Sequence, residues 1–102
     1  MGNNILRRGT TPIHRFALRG IVLTALYVTY SQGGKVTMEK TIDDATVEDE
    51  SIIVRLTQED TLLFRARSNV CVQIRLRTVA GDVLASEMIE VPVGAILKDG
   101  VI

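Results

Sequence analysis

The strongest constraint on the fold of this sequence is an uninterrupted two-residue alternation between residues 70 and 77. Apolar and more polar side chains alternate there in the order Val70, Cys71, Val72, Gln73, Ile74, Arg75, Leu76 and Arg77. Successive side chains of a β-strand point to opposite faces of its sheet, so this pattern predicts a strand with one buried and one exposed face. A helix would instead repeat its apolar positions every three or four residues.

Shorter segments with the same period surround this strand and are separated by turn signals. In residues 12–18, Phe16 and Leu18 share a face with His14. Further strands are predicted over residues 24–31, 35–41, 42–47 and 52–56. Residues 83–91 also predict a strand, but apolar side chains occur on both of its faces, so its register stays open and a bulge fits the pattern. Pro92 is expected to end that strand because proline has no N–H to donate.

The segment Gln32–Gly34 joins two of the predicted strands as a hairpin. A two-residue loop would place Val36 opposite a serine. A three-residue loop places Val36 opposite Tyr30 and Met38 opposite Val28, which gives a continuous apolar face across the pair. We therefore predict the three-residue loop, with its last glycine in the left-handed conformation that such loops require.

A second turn is predicted at the acidic run that begins with Glu48. If this turn has four residues, Val47 lies opposite Ile52 and Ala45 lies opposite Val54. In that register Ile52, Val54 and Leu56 point inward, while Ile53 and Arg55 point away.

Residues 58–64 carry the helical signal of the chain. Thr57 can cap the first turn, acidic residues follow it, and Leu62, Leu63 and Phe64 form the apolar part. With six to seven short antiparallel strands, the chain predicts an all-β fold of the immunoglobulin-like two-sheet β-sandwich type, with one short helix near residues 58–64. We predict a flexible N-terminal segment over residues 1–10 and a single β-sandwich domain over residues 11–102.

The residue inventory excludes most reactive sites. One Cys and one His among 102 residues exclude an internal disulfide framework and a multi-cysteine zinc site. Cys71, His14 and an acid such as Asp60 would form a thiol nucleophile only if folding joined them, and a mid-strand cysteine is usually inert. Gly33-Gly34-Lys35 lacks the spacing of a phosphate loop, and the acidic runs lack that of a calcium loop. We expect no catalytic residue, cofactor, metal or small-molecule substrate.

Neither a signal peptide nor a membrane span is predicted. The N-terminus lacks an apolar core, and the longest apolar stretch, residues 21–28, is interrupted by Thr24. That stretch is far shorter than the roughly 20 residues that a spanning helix needs. A single free thiol fits a reducing compartment, so a cytoplasmic location without a membrane partner is expected.

The net charge of zero results from the cancellation of four charged blocks. Residues 1–20 hold four Arg and no acid, and residues 39–60 hold eight acids and two bases. Residues 65–77 hold four Arg and no acid, and residues 78–102 hold four acids and one Lys. Complementary blocks on one small domain favour head-to-tail contact between copies or docking to a charged partner, although a mixed solubilising surface explains them equally well. Net neutrality, four aromatic residues and no binding motif argue against a nucleic-acid partner.

Three groups of residues form the predicted interaction face. The basic group is Arg65, Arg67, Arg75 and Arg77; the acidic group is Glu48, Asp49 and Glu50; the apolar group is Ile96, Leu97, Val101 and Ile102. Residues 95–102 are apolar for a terminus, and they are expected either to add an edge strand or to meet a neighbouring subunit.

Three stretches carry a resemblance to known proteins: residues 8–16 (RGTTPIHRF), 56–64 (LTQEDTLLF) and 72–77 (VQIRLR). Across nearly its whole length the chain resembles small uncharacterised proteins encoded by prophages of Gram-positive bacteria, typically among genes for head and tail components. It departs from them at residues 19–23, which are more basic and apolar than the Asp-containing stretch expected there. The resemblance implies a virion-related structural or assembly role, in the bacterial cytoplasm during assembly and in the virion, with copies of itself or other virion proteins as partners.

Two function classes are compatible with these patterns. The first is a non-enzymatic phage or prophage structural or tail-assembly protein that acts through protein–protein contacts. The alternative is a stand-alone immunoglobulin-like binding module for a protein or carbohydrate ligand, which predicts exposed aromatic residues along one rim. Tyr27 and Tyr30 fall on opposite faces of one predicted strand, which weighs against the alternative.

Overall fold

A computed structural model describes residues 5–48 and 50–102 of the chain. The strands are β1 Leu6–Arg7, β2 Ile13–Ala17, β3 Leu23–Gln32, β4 Lys35–Thr41, β5 Ala45–Glu48, β6 Ser51–Arg55, β7 Asn69–Thr78, β8 Val83–Ala85 and β9 Ile89–Gly94. A short helix, α1, covers Gln58–Leu62, and a single 3-10 turn covers Ile42–Asp44.

The strands form two sheets. The larger has the order β1-β9-β7-β3-β4, with β8 also paired to β7, and the smaller has the order β2-β6-β5. Every pair is antiparallel except β1 with β9. The prediction of a mostly β fold in two sheets with one short helix is therefore confirmed. The described residues form nine strands rather than the six to seven predicted, because residues 6–7 add β1 and the predicted strand over 83–91 is divided into β8 and β9.

The core lies between the sheets and is built from the alternating faces of the long strands. Its fully buried members include Leu26, Val28 and Tyr30 from β3, Ile52 and Val54 from β6, Val70 from β7, and Leu6, Leu56 and Phe64. The inward set predicted for β7 is confirmed, since Val70, Val72, Ile74 and Leu76 are all buried. The inward set predicted for residues 52–56 is confirmed in the same way.

The hairpin between β3 and β4 differs from the prediction. Gln32 pairs with Lys35, so the loop has two residues, and both Gly33 (φ 59°) and Gly34 (φ 77°) have the positive φ that a type I′ turn needs. The predicted register was wrong: Met38 lies opposite Tyr30, and Val36 is exposed. The cause is a β-bulge next to Ser31, which inserts one extra residue in β4. The bulge reconciles a two-glycine turn with burial of Met38 and Tyr30 on one face.

The register of the second hairpin was predicted correctly. Ala45 pairs with Val54 and Val47 pairs with Ile52, as a four-residue turn requires. Glu48 pairs with Ser51 and closes that turn. Asp49, which the predicted interaction face includes, lies outside the described residues.

Helix α1 begins as predicted, with Thr57 as its N-cap. The Thr57 hydroxyl accepts from the amide of Asp60 at 3.1 Å, and the Asp60 carboxylate accepts from the amide of Thr57 at 2.9 Å. This reciprocal pair is a capping box, which satisfies two amides that the first helical turn leaves without partners. Lys40 Nζ also contacts the Asp60 carboxylate at 2.9 Å and ties the helix start to β4.

Pro92 lies inside β9, so the prediction that it ends the strand was wrong. The amide of Val93 donates to Ser68 on the β7 side, and neighbouring amides of a strand point in opposite directions. The Pro92 nitrogen therefore faces the β1 side, where pairing starts one residue later, at Leu6 with Val93. Proline is tolerated because no ladder hydrogen bond is required of it there.

The N-terminal segment contributes to the core. Within residues 1–10, where we predict flexibility, Leu6 is 1% exposed and pairs with Val93. Arg8 follows β1 and donates to the carbonyls of Phe64 (2.8 Å) and Leu62 (3.2 Å) at the end of α1. Residues 1–4 lie outside the described part of the chain.

Candidate functional site

The smaller sheet ends in β2 on one side, and an apolar cleft of about 400 Å³ lies next to that strand. Residues of both sheets line it: Ile5, Leu6, Pro12, Ile13, His14, Arg15, Phe16, Val72, Ile89 and Val91. Three of the aliphatic side chains remain about half exposed, namely Ile5, Ile13 and Ile89. The cleft is therefore an opening between the sheets that the core does not fill.

His14 is the partly buried polar group of this cleft, and Arg15, which also lines it, is exposed. Its Nδ1 atom lies 2.7 Å from the hydroxyl oxygen of Tyr30, and the two rings stack with their centroids 5.7 Å apart. Burial lowers the pKa of His14 below its usual value of 6.5. Burial, and then the charge of Asp60, raise the pKa of Tyr30, so the phenol stays protonated. Both groups are thus neutral at physiological pH.

The hydrogen bond fixes the tautomer of His14. Tyr30 is fully buried, and within the described chain its hydroxyl has one hydrogen-bond partner, His14. A buried hydroxyl proton without an acceptor is costly, so the phenol must donate and Nδ1 must accept. The imidazole proton therefore resides on Nε2, which makes His14 a neutral donor at a cleft with otherwise mainly apolar walls.

We predict that the single histidine titrates below pH 6.5 in the folded protein and carries its neutral-state proton on Nε2. Because the folded-state pKa lies below that of the unfolded chain, its contribution to stability is complete above about pH 6.5 and is lost as the pH falls through the folded-state value. NMR titration of the imidazole measures the pKa, and its ¹⁵N shifts measure the tautomer. A pKa at or above 6.5, or a proton on Nδ1, would contradict this account of the pair.

The opposite edge of the smaller sheet is β5, and it also adjoins an apolar cleft. This second cleft, of about 390 Å³, is lined by Ile21, Val22, Leu23, Ile42, Ala45 and Val47. Val22 and Val47 are exposed by 70% and 42%, respectively. Each edge of the smaller sheet thus has partly exposed aliphatic side chains beside a strand that no other described strand pairs with.

The four arginines of the predicted interaction face are divided between two places. Arg75 and Arg77 lie on the outer face of the larger sheet, where they pair with Tyr27 and Ala25 of β3. Arg65 and Arg67 precede β7, whose start is about 20 Å along the strand from Arg75.

The Arg65 backbone is held by the buried side chain of Gln32, which accepts from its amide at 2.8 Å and donates to its carbonyl at 2.9 Å. The Arg65 guanidinium lies next to Gly33 of the hairpin turn. This arginine therefore belongs to the hairpin end of the molecule, away from Arg75 and Arg77.

The acidic and apolar groups of that face lie elsewhere. Glu48 and Glu50 are exposed at the turn that follows β5. Residues 95–102 form no strand; the tail is fixed by an ion pair between Arg8 and Asp99 (2.7 Å) and by two hydrogen bonds between Gln58 and the backbone of Ile102. In the tail, Ile96 is half-buried, and the exposed aliphatic residues are Leu97, Val101 and Ile102.

The groups that a thiol nucleophile would need do not meet. Cys71 pairs with Ser31 and Glu90 on the outer face of the larger sheet, whereas His14 lies in the cleft between the sheets. Asp60 is occupied by the helix cap and Lys40. Among residues 5–48 and 50–102, no group of three or more His, Cys, Asp or Glu side chains is placed to hold a metal ion.

No protein-family model matches the sequence, and no curated protein matches it significantly. Among the described helices, none combines the length and hydrophobicity needed to cross a membrane. The aromatic rim expected of a carbohydrate-binding module does not form in the described chain, where Tyr27 is 49% exposed and Tyr30 and Phe64 are buried.

Sequence reasoning did not identify the two free edges as candidate sites. Ile13, Arg15 and Val47 were assigned to strands, but their position at a sheet edge depends on which strands pair. Charge is the sequence signal that could have identified these edges. The segment that forms β2 carries Arg15 and no acid, whereas the residues around β5 are rich in acids.

Proposed function

We propose that this protein is a non-enzymatic structural or tail-assembly component of a phage or prophage particle, acting through protein–protein contacts. The observation that carries the proposal is the smaller sheet: among residues 5–48 and 50–102 no further strand pairs with either of its edges, and an apolar cleft lies beside each one. Unpaired strand edges and partly exposed aliphatic groups are the features by which β proteins add a further chain.

We infer that the two sheets form an immunoglobulin-like sandwich. The order β4-β3-β7-β9 corresponds to a C′-C-F-G sheet, and β2-β6-β5 corresponds to B-E-D, with α1 leading from the E to the F position. Such sandwiches keep their main-chain groups paired in the interior and present edges and faces for contact, which suits a repeated part of a symmetric assembly.

The partners proposed are copies of the chain itself and other virion proteins, in the bacterial cytoplasm during assembly and then in the particle. The resemblance of residues 8–16, 56–64 and 72–77 to prophage-encoded proteins supports this setting. The same structure supplies a physical reason: exposed aliphatic side chains at two edges favour burial against protein surfaces.

Mass spectrometry of particles purified from an induced culture of the encoding bacterium tests the proposal. The chain is expected in the particles, or in their assembly intermediates, at a constant ratio to the other components and enriched over abundant cytoplasmic proteins. Absence from both, or a level equal to that of the cytoplasmic background, would overturn the proposed function.

A further inference from the structure

We propose that the free edge of β2 pairs with the free edge of β5 from a second copy of this chain, so that copies associate head to tail. This inference rests on the proposed function, which it deepens by naming the partner and the surface. Four observations carry it: the unpaired backbone groups, the clefts, the charges and the position of the edges in the fold.

The β2 edge offers six backbone groups. The amide of Leu56 donates to Pro12 and the amide of Leu18 donates to Glu50, so the even-numbered residues of this segment bond to β6. In an antiparallel ladder the residues between them point the other way. Ile13, Arg15 and Ala17 therefore direct their N–H and C=O groups to the free edge, and within the described chain no strand pairs with them there.

The β5 edge offers a matching but shorter set. The alternation of the β5–β6 ladder directs the backbone groups of Thr46 and Glu48 to β6 and those of Ala45 and Val47 outward. The Ala45 amide is already used, because it donates to Ile42 at the end of the 3-10 turn. The carbonyl of Ala45 and both groups of Val47 remain available to an added strand.

The clefts beside the two edges are both lined mainly by apolar side chains, so each can bury apolar groups of the other copy. On the inner face, β5 presents Ala45 and Val47, and β2 presents His14 and Phe16 beside their cleft. Pairing of the edges brings Val47 to this cleft and removes apolar surface from water on both copies. Ile13 and Val47, which are 48% and 42% exposed, are the partly exposed aliphatic side chains on the two pairing strands themselves.

The two edges carry opposite charges. Arg15 lies on β2 and Arg19 just after it, and the segment contains no acid. In residues 42–50, the segment that contains β5, every charged residue is acidic, namely Asp43, Asp44, Glu48, Asp49 and Glu50. A hydrogen bond from the Thr41 amide lowers the pKa of Asp44 and keeps it ionised. The ion pairs of the described chain, Arg8 with Asp99 and Lys40 with Asp60, use none of these groups.

Charge also selects between possible pairings. A two-fold contact of β2 with β2 centred on Arg15 would oppose two arginines, and a two-fold contact of β5 with β5 would bring its acidic residues together. Like charges directly opposite each other destabilise a strand pair. The contact of β2 with β5 joins opposite charges, and because it uses two different surfaces it continues into a ring or a filament.

The position of the edges in the sandwich supports the same contact. In an immunoglobulin-like sheet of order A-B-E-D, a further strand covers the edge of the B strand. Here β2 occupies the B position, and β1 pairs with β9 of the other sheet instead. A strand from a second copy would occupy the A position.

Sedimentation velocity of the full-length protein, with charge-reversal variants, tests this inference. The wild type is expected to self-associate with rising concentration, and less so at about 0.5 M salt, where exposed charges are screened. Arg15→Glu and Glu48→Arg are each expected to weaken association by about tenfold or more, because each reverses a charge on one of the two pairing strands and so weakens the attraction between the edges. An equimolar mixture of the two variants is expected to regain association. Arg75→Glu on the outer face of the larger sheet and Glu87→Arg on the β8–β9 loop are matched controls that should associate like the wild type.

Three outcomes would overturn the inference. The first is a wild type that stays monomeric at about 1 mM, where a contact with a Kd of about 1 μM would be almost complete. The others are a single variant that associates like the wild type and a mixture of the two variants that stays monomeric. Circular dichroism of each variant confirms that it is folded. A monomeric wild type that is nonetheless found in particles overturns the pairing and leaves the proposed function standing. Association that depends on both edges, together with absence from particles, overturns the proposed function alone.

Discussion

Replacing Phe64 by Ala is expected to lower the free energy of unfolding by about 3–5 kcal/mol, the usual cost of deleting a buried aromatic ring. Phe64 is 1% exposed, and its ring centroid lies 5.9 Å from that of Tyr30, which itself stacks on His14. Removal of the ring leaves a cavity in the hydrophobic core. Tyr30 would lose its packing partner at the same time.

Denaturant unfolding followed by circular dichroism measures this change. Leu63→Ala is the matched control, because Leu63 is the adjacent residue and is 58% exposed, so its truncation should cost less than about 1 kcal/mol. Equal losses for the two variants would contradict the placement of Phe64 in the core.

Replacing Leu6 by Ala is expected to cost about 2–5 kcal/mol, although this residue is near the N-terminus. Leu6 is 1% exposed, and the strand pair that holds it, Leu6 with Val93, joins positions far apart in the sequence. Its loss would leave a cavity between β1 and the core and weaken the anchor of the N-terminal segment.

Ile5→Ala provides the control for this experiment. Ile5 is 47% exposed at the rim of the β2 cleft, so its truncation should cost less than about 1 kcal/mol. The same unfolding measurement applies. Leu6→Ala with wild-type stability would show that residues 6–7 do not form part of the folded core.

The parts of the fold that were predicted from sequence depend on local patterns. The alternation from Val70 to Leu76 identified the buried face of β7, and Thr57 followed by Asp60 identified the start of α1. The β5–β6 register followed from turn length and side-chain alternation. In each case the residues that decide the outcome are close together in the chain.

The β3–β4 hairpin shows where local reasoning failed. We chose the loop that aligned Val36, Met38 and the apolar residues of β3, but two consecutive glycines favour a two-residue turn. A bulge beside Ser31 lets the hairpin keep its two-glycine turn while Met38 and Tyr30 still lie opposite each other in the core. An extra residue of this kind leaves no distinct signal in the side-chain pattern.

The candidate site could not be predicted from the sequence, because a sheet edge depends on which strands pair and not on a local pattern. An edge is defined by the absence of a neighbour: among the described strands, β5 is an edge because β4 pairs with β3, and β2 is an edge because β1 pairs with β9. That choice depends on Leu6 and Val93, which are distant in sequence. The charge blocks predict contact between copies, and this stays a prediction. Arg8, part of the first block, instead contacts the end of α1 and the C-terminal tail of its own chain.

Amide hydrogen exchange of the wild-type protein, measured by NMR at increasing concentration, tests the pairing of β2 with β5 most directly. The account predicts that exchange slows with concentration at the amides of Ile13, Arg15, Ala17 and Val47, which point to the free edges. The amides of β4, an edge strand of the larger sheet, should exchange at a constant rate. Exchange that is independent of concentration at β2 and β5, or protection that develops at β4 instead, would contradict the account.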